Sequence, residues 1–305
     1  MKVYFLPEDA GRVRRRPRAV AIGIFDGVHL GHRKIIEKTL HRRGETPAVV
    51  TFDPHPGKVL HPKEFHPTIL MSLEHRLKIL EALGVRETFV IRFNRRFSGI
   101  SHESFLRDTL LDRLQTRFIS VGDDFRFGHR GLGDRKYLES ESHKSSFKLS
   151  AARQLLFKKK PISSTRIRQK IEHGDLVRAK KMLGRTVSVY GTVVQGRGRG
   201  RKLGFPTANL NPHHEALPPA GVYAARGFLG KKPLRGVIHI GERPTFGDKQ
   251  RSLEVHFFDF HKNIYGRDLE LLFIARLRSI RRFSDPKRLS DAIRQDAMKA
   301  KRMLA

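Results

Sequence analysis

The segment Gly23-Ile24-Phe25-Asp26-Gly27-Val28-His29-Leu30-Gly31-His32 constrains the fold more than any other, because a strand pattern turns there into a helical one. Before it, Ala19-Val20-Ala21-Ile22 reads as a short buried strand; after it, Ile35, Ile36, Thr39 and Leu40 recur at helical spacing. The motif therefore occupies the connecting loop. Gly23, Gly27 and Gly31 let the backbone approach an anion closely, and the first amides of the helix, with its dipole, attract one. His29 and His32, three residues apart, can donate hydrogen bonds to phosphate oxygens. Phe25 and Asp26 occupy the turn that sets their spacing.

The rhythm continues with a strand at Ala48-Val49-Val50-Thr51-Phe52, a helix from Leu73 to Leu83, a strand at Phe89-Val90-Ile91 and another at Phe118-Ile119-Ser120-Val121. Such βαβ alternation predicts a parallel sheet with helices on both faces and a ligand site at the carboxyl ends of the strands. Two of those ends carry polar loops. In Thr51-Phe52-Asp53-Pro54-His55-Pro56 the prolines hold a loop able to lie over a nucleotide, and Gly122-Asp123-Asp124-Phe125-Arg126-Phe127-Gly128 is placed for nucleotide contact. The stretch from Gly131 to Lys160 is poorly patterned. Ile162-Ser163-Ser164-Thr165-Arg166-Ile167-Arg168 then opens a helix capped by Ser163 or Ser164. Ser164 and Thr165 offer hydroxyls and amides at its start, and Arg168, one turn in, can fork onto phosphate oxygens. Asp175 caps a further helix that stops at Gly184. Beyond it, strand patterns at Val187–Val194, Gly221–Gly227, Leu234–Ile240, Leu253–Phe260 and Leu269–Leu277 predict a small barrel, and Asp285 to Leu304 a closing helix.

A chain of 305 residues has room for two cores, and the change of pattern divides it into domains 1–183 and 184–305. It has no cysteine, which excludes disulfides, thiolate metal sites and a cysteine nucleophile and fits a cytoplasmic setting. No secretory pattern follows Arg12, Arg14, Arg15 and Arg16, and no apolar run approaches the roughly 18 residues of a membrane span. The formal charge of +32 raises a nucleic-acid partner. The excess is shared by both halves, however, and the short clusters Arg14–Arg16 and Lys158–Lys160 lie inside folded patterns. Weak salt-sensitive binding is the expectation, not specific recognition of nucleic acid.

In this order, the Gly23–His32 run and Ile162–Arg168 resemble the H-x-G-H and I-S-S-T-x-x-R signatures of nucleotidylyltransferases. That resemblance implies attack by a phosphate oxygen on the α-phosphorus of ATP, with pyrophosphate leaving. A phosphate nucleophile needs no base, so the protein aligns it and stabilises charge on the departing oxygens, with His29, His32 and Arg168 as stabilisers. In the second half, the glycine-rich Gly196–Gly204 loop lacks Walker spacing and also reads as an RNA-binding loop; Thr207 and Asn209 after it are oxygen donors suited to Mg²⁺.

With Gly204-Phe205-Pro206-Thr207-Ala208-Asn209-Leu210, Gly221-Val222-Tyr223, Gly241-Glu242-Arg243-Pro244-Thr245 and Glu254-Val255-His256, nearly the whole chain resembles the bacterial bifunctional riboflavin kinase/FMN adenylyltransferases, the FAD synthetases. The resemblance implies a Rossmann-like α/β nucleotidyltransferase domain followed by a six-stranded antiparallel β-barrel kinase domain with a terminal helix. Riboflavin and ATP would give FMN, and FMN with a second ATP would give FAD. It implies that Gly23, Phe25, Asp26, Gly27, Asp53, Asp124, Ser164 and Thr165 bind nucleotide or flavin in the first half, and Gly204, Pro206 and Asn209 in the second. Thr207 and Asn209 would hold Mg²⁺, and Glu254 would take the proton of the ribityl 5′-hydroxyl, since an alcohol must lose one on transfer. The chain departs from the pattern at His239, where the family usually has Asn, and across Gly133 to Pro161, which is shortened. Those departures keep two alternatives open: an enzyme retaining one activity, and a basic nucleic-acid-binding protein on the same scaffold.

Overall fold

The computed structural model describes residues 1–65, 68–196, 200, 204–213, 215–242, 251–281 and 283–305. It forms two compact units: Met1–Pro67 with Leu73–Ser164, and Thr68–Ser72 with Thr165–Ala305.

The first unit is built on strands β1 (Lys2–Leu6), β2 (Arg18–Ile22), β3 (Thr46–Asp53), β4 (Glu87–Arg92), β5 (Thr116–Gly122) and β6 (Lys148–Ala152). They form one sheet in the order β1-β4-β3-β2-β5-β6, every pair parallel. All five residues of β2 are buried, as are the middle residues of β3, which is why they read as continuous apolar runs. From β2 the chain builds outward through β3 to β4, then crosses to the other side of β2 for β5. The order reverses between β2 and β5, which is the point at which a sheet of this kind places its ligand, outside the carboxyl ends of the strands. The helix Leu30–Leu40 after β2 turns Ile36 and Thr39 inward. At the opposite end of β2, the fully buried Arg18 gives its Nε to Glu87 at 2.7 Å and its Nη groups to the carbonyls of Leu114, Arg14 and Arg16 at 2.9, 2.8 and 3.2 Å. A charge so deep survives because its donors are matched.

After a short hairpin, β7 (Leu156–Phe157) with β8 (Lys160–Pro161), come the helices Ser164–Glu172 and Leu176–Leu183. Asp175 caps the latter and Gly184 ends it in a left-handed conformation, as the sequence leads one to expect. The barrel follows: β9 (Ser188–Val194), β10 (Ala208–Asn211), β11 (Gly221–Leu229), β12 (Lys232–Glu242), β13 (Arg251–Phe257) and β14 (Asp268–Arg278) close in the order β10-β13-β12-β11-β14-β9, all antiparallel. Closure leaves no edge strand. On β13, Leu253, Val255 and Phe257 are buried, so Glu254 and His256 point the other way. The last helix, Pro286–Leu304, is capped by Asp285 and packs Ala300 and Leu304 against Val222, Ala224, Phe258 and Leu277. Asp296 on it receives a two-pronged bond from Arg278 Nε, at 2.9 and 3.1 Å.

Five strands escape the sequence pattern: β1, β6, the two-residue pair β7 and β8, and β10. The stretch from Gly131 to Lys160 also holds a regular helix, Arg135–Lys144, capped by Asp134. Among the described residues no helix is long and apolar enough to cross a membrane.

Candidate active sites

In the first unit, the loop from Gly23 to His29 is tight. Phe25, Gly27 and Val28 all have positive φ, at 53°, 88° and 36°. For a β-branched residue such as Val28 that is an unfavourable conformation, held only because the surroundings fix it. The surroundings are visible. Gly23 N–H donates to the Val50 carbonyl at 3.1 Å, Thr51 Oγ1 donates to the Ile24 carbonyl at 3.0 Å, and Ser164 Oγ donates to the Asp26 carbonyl at 2.7 Å. Phe25 and Val28 are buried among the core, and Asp26 is only 4% exposed.

This scaffold presents the two histidines. His29 is the cap of the helix Leu30–Leu40: its Nδ1 accepts from His32 N–H at 3.3 Å. An Nδ1 that accepts leaves the ring proton on Nε2, which becomes the donor. The two rings stack with centroids 3.6 Å apart, and Phe25 meets His32 edge-on at 5.4 Å. Gly31 leaves room for this: a β-carbon there would lie 3.2 Å from the His29 ring, a tight contact that the ring would have to yield to.

The neighbouring strand ends supply the rest. Asp53 closes β3, and burial raises its carboxyl pKa, against the pull of the Arg76 guanidinium. Asp124, in the loop after β5, is exposed and accepts from Gln154 Nε2 at 2.8 Å. The structure thus gathers Gly23, Phe25, Asp26, Gly27, His29, His32, Asp53, Asp124 and Ser164 in one unit, on loops leaving β2, β3 and β5 and at the helix start that follows. Thr165 and Arg168 continue that helix and fall in the second unit, where Arg168 is buried.

In the second unit, Thr207 leads into β10, and Asn209 pairs with Glu254 of β13 across the sheet. Thr207 Oγ1 donates to Glu254 Oε2 at 3.2 Å, and Asn209 is buried beside it. A hydroxyl, a side-chain amide and a carboxylate form a set of hard oxygen donors, which is the set Mg²⁺ takes. Glycines make room at two places around it. A β-carbon on Gly196 would sit 1.9 Å from the Asn209 amide nitrogen, and one on Gly200 would sit 2.4 Å from the Phe205 carbonyl oxygen. Gly204, with φ of +79°, and Pro206 form the turn before Thr207; the Pro206 carbonyl is 2.8 Å from His256 Nδ1. Pro206 and Thr207 also line a cavity of about 330 Å³ with Val193, Val255, Phe257 and Tyr265. His239 of β12 lies opposite Glu254 as its cross-strand neighbour. Packing pushes the His239 imidazole pKa down, and the Glu254 carboxylate pulls it back up. The Arg197–Arg199 and Arg201–Leu203 parts of the glycine-rich loop, and Arg243-Pro244-Thr245, lie outside the described residues.

These two sites meet two family models. Residues 12–166 match the FAD synthetase model and residues 183–304 the riboflavin kinase model. A bifunctional riboflavin kinase/FMN adenylyltransferase of Bacillus subtilis (strain 168) is 35% identical over 288 residues, covering 92% of this chain and 90% of the relative. The chain belongs to the bifunctional riboflavin kinase/FMN adenylyltransferase family. An Escherichia coli (strain K12) protein carrying the same description is 35% identical over 286 residues, with 92% and 91% covered. A crystal structure from Streptococcus pneumoniae, described as a macrolide-efflux protein, shares the fold with a TM-score of 0.81 at 27% identity, over 97% of both chains.

Family motifs point to the loops but pass over what pins them. Arg76 is such a residue: its Nη1 donates to the Ile24 carbonyl, to Thr51 Oγ1 at 2.9 Å and to the Phe52 carbonyl at 3.4 Å. The signal available in sequence is an arginine in an apolar slot, three residues after Leu73 and four before Leu80.

Proposed function

We propose that the barrel unit phosphorylates the ribityl 5′-hydroxyl of riboflavin with ATP, giving FMN and ADP, and that the sheet unit transfers the adenylyl group of a second ATP to FMN, giving FAD and pyrophosphate. The observation that carries this reading is the difference between the two sites in one family member. One holds two stacked histidines, the first of them the cap of a helix, at a glycine loop. The other pairs a carboxylate with a threonine hydroxyl and an asparagine.

In the sheet unit an FMN phosphate oxygen attacks the α-phosphorus of ATP as the bond to pyrophosphate breaks. No proton need be removed from the nucleophile. His29, through Nε2–H, and His32 stabilise the charge gathering on the leaving oxygens, and the glycine loop with Phe25 and Asp26 seats the nucleotide. Asp53, Ser164 and Asp124 line the same site. By the family pattern we assign Thr165 and Arg168 to the same phosphates.

In the barrel, Glu254 takes the proton of the 5′-hydroxyl as its oxygen bonds to the γ-phosphorus of ATP and ADP leaves. Thr207 and Asn209 would hold Mg²⁺, whose chemistry when bound is to neutralise the phosphates, while Gly204 and Pro206 shape the turn beneath them. We place the boundary between the two activities at Leu183/Gly184, and the reactions in the cytoplasm, where ATP is supplied.

The test is to incubate the protein with riboflavin, ATP and Mg²⁺ and separate the flavins over time. FMN rising first and FAD following at its expense is the expected result. FMN alone would leave only the barrel activity, and no product from either flavin, with RNA bound tightly at physiological salt, would favour the nucleic-acid reading.

A further inference from the structure

Arg76 sits on the helix Leu73–Ala82, only 5% exposed, within the sheet unit. A buried guanidinium is costly, and burial lowers its pKa. It is also incompletely matched, since its Nε–H is buried and has no hydrogen-bond partner among the described residues. A side chain serving packing alone would be replaced to advantage by an apolar one of the same length.

What the guanidinium does touch is specific. Through a single nitrogen, Nη1, it bonds the Ile24 carbonyl, immediately before the residues of positive φ, and the Thr51 hydroxyl and Phe52 carbonyl at the end of β3. It therefore joins the exit of β2 to the exit of β3. It also faces two carboxylates of the motifs, Asp26 and Asp53, with Glu74 on its own helix as a third; Asp53 in turn faces Arg92 and Lys58 as well as Glu74. Carboxylates beside an anionic nucleotide repel it unless a cation lies close.

We infer that Arg76 is a positioning residue for adenylyl transfer: it fixes the phosphate loop to the end of β3 and supplies the positive charge that lets Asp26 and Asp53 stand beside a nucleotide. This rests on the adenylyltransferase reading of the sheet unit.

The two activities of one chain make the test clean. Arg76→Met keeps the length of the side chain and removes charge and donors; Arg76→Lys keeps the charge and loses the fork. FAD formation from FMN and FMN formation from riboflavin are measured on the same preparations near pH 6 and near pH 8. For Arg76→Met, kcat/KM for FAD formation falls about 100-fold, the cost of a misplaced reacting group, while riboflavin phosphorylation is unchanged. Its loss relative to wild type is smaller near pH 6, because carboxylates without their cation take up protons more readily and cease to repel ATP. Arg76→Lys shows an intermediate loss whose ratio does not change with pH.

Unchanged FAD formation overturns the proposal. So does a parallel fall of both activities, which would mark a structural residue, and so does an Arg76→Met loss that is the same at both pH values. If the wild-type protein makes FMN but no FAD from FMN, the adenylylation reading fails, and the proposal with it.

Discussion

The sheet unit and the barrel solve the same problem, holding ATP phosphates, by opposite means. In the sheet unit the glycine loop is pinned from behind: His29 is 5% exposed, and Thr51, Arg76 and Ser164 fasten the backbone that carries it. In the barrel the candidate side chains sit at and beside one cross-strand pair, Asn209 with Glu254, and the bond among them is the 3.2 Å contact from Thr207 to Glu254. The nucleophile explains the contrast. A phosphate is already ionised, so what the sheet unit must supply is preorganised donors, and rigidity is the currency of preorganisation. An alcohol must be deprotonated, so the barrel needs a carboxylate that can reach it, and a half-exposed glutamate on a strand is free to do that.

The sharpest way to break this comparison is to remove each chemistry separately. Glu254→Gln keeps the shape and the hydrogen bond from Thr207 but cannot accept the proton; FMN formation should fall about 10²- to 10⁴-fold. FAD formation from supplied FMN should be unchanged. His29→Ala removes a donor and a helix cap in the other unit; FAD formation should fall about 10²- to 10³-fold, with FMN formation kept. Loss of both activities in either soluble variant would mean that the sites are not separate, and the comparison would collapse.

How much of this was legible in the chain depends on where each element lies. β2, β3 and β4 announce themselves because they are buried on both faces and read as unbroken apolar runs. β1 and β6 are the two edges of the sheet, each bonded to a single neighbour, and β6, Lys148-Leu149-Ser150-Ala151-Ala152, has one buried residue to betray it. β10 is short and carries Asn209 and Asn211, so its polarity hides it as a loop. In the sites, the residues assigned to substrate under the proposed function lie in motifs with regular spacing. A residue that holds those motifs in place, such as Arg76, obeys no spacing, since what selects it is a carbonyl brought near by the tertiary fold.

A glycine tests the barrel side at intermediate strength. Gly196→Ala would put a β-carbon 1.9 Å from the amide nitrogen of Asn209, so the amide must move. An overpacked contact of this kind costs about 1–3 kcal/mol, roughly ten- to a hundredfold if it is expressed in the rate of phosphorylation. The fall should appear in FMN formation alone. If the activity is unaffected, the Asn209 side chain does not need its place, and its assignment to Mg²⁺ and phosphate is wrong.

His239 gives the smallest and most selective effect. The imidazole pKa is lowered by the packing around it, then raised by Glu254 across the strand pair, lowered by Arg278 and raised by Asp296. The net shift is downward, so between the folded pKa and the ordinary value of about 6.5 the unfolded chain binds more protons than the folded one. Stability conferred by the neutral ring is thus complete above that window and lost as pH falls through it. Asn at this position, the residue the family usually has, cannot titrate. Thermal melts from about pH 7.5 down to about pH 5.5 should therefore show the barrel transition of His239→Asn falling less steeply than that of wild type. His239 as a residue is exposed, which keeps the difference small. Any transition of the sheet unit, which has no part in this pairing, should move equally in both proteins. Identical slopes for the barrel would show that water screens the ring fully, and that the pairing of His239 with Glu254 carries no electrostatic consequence.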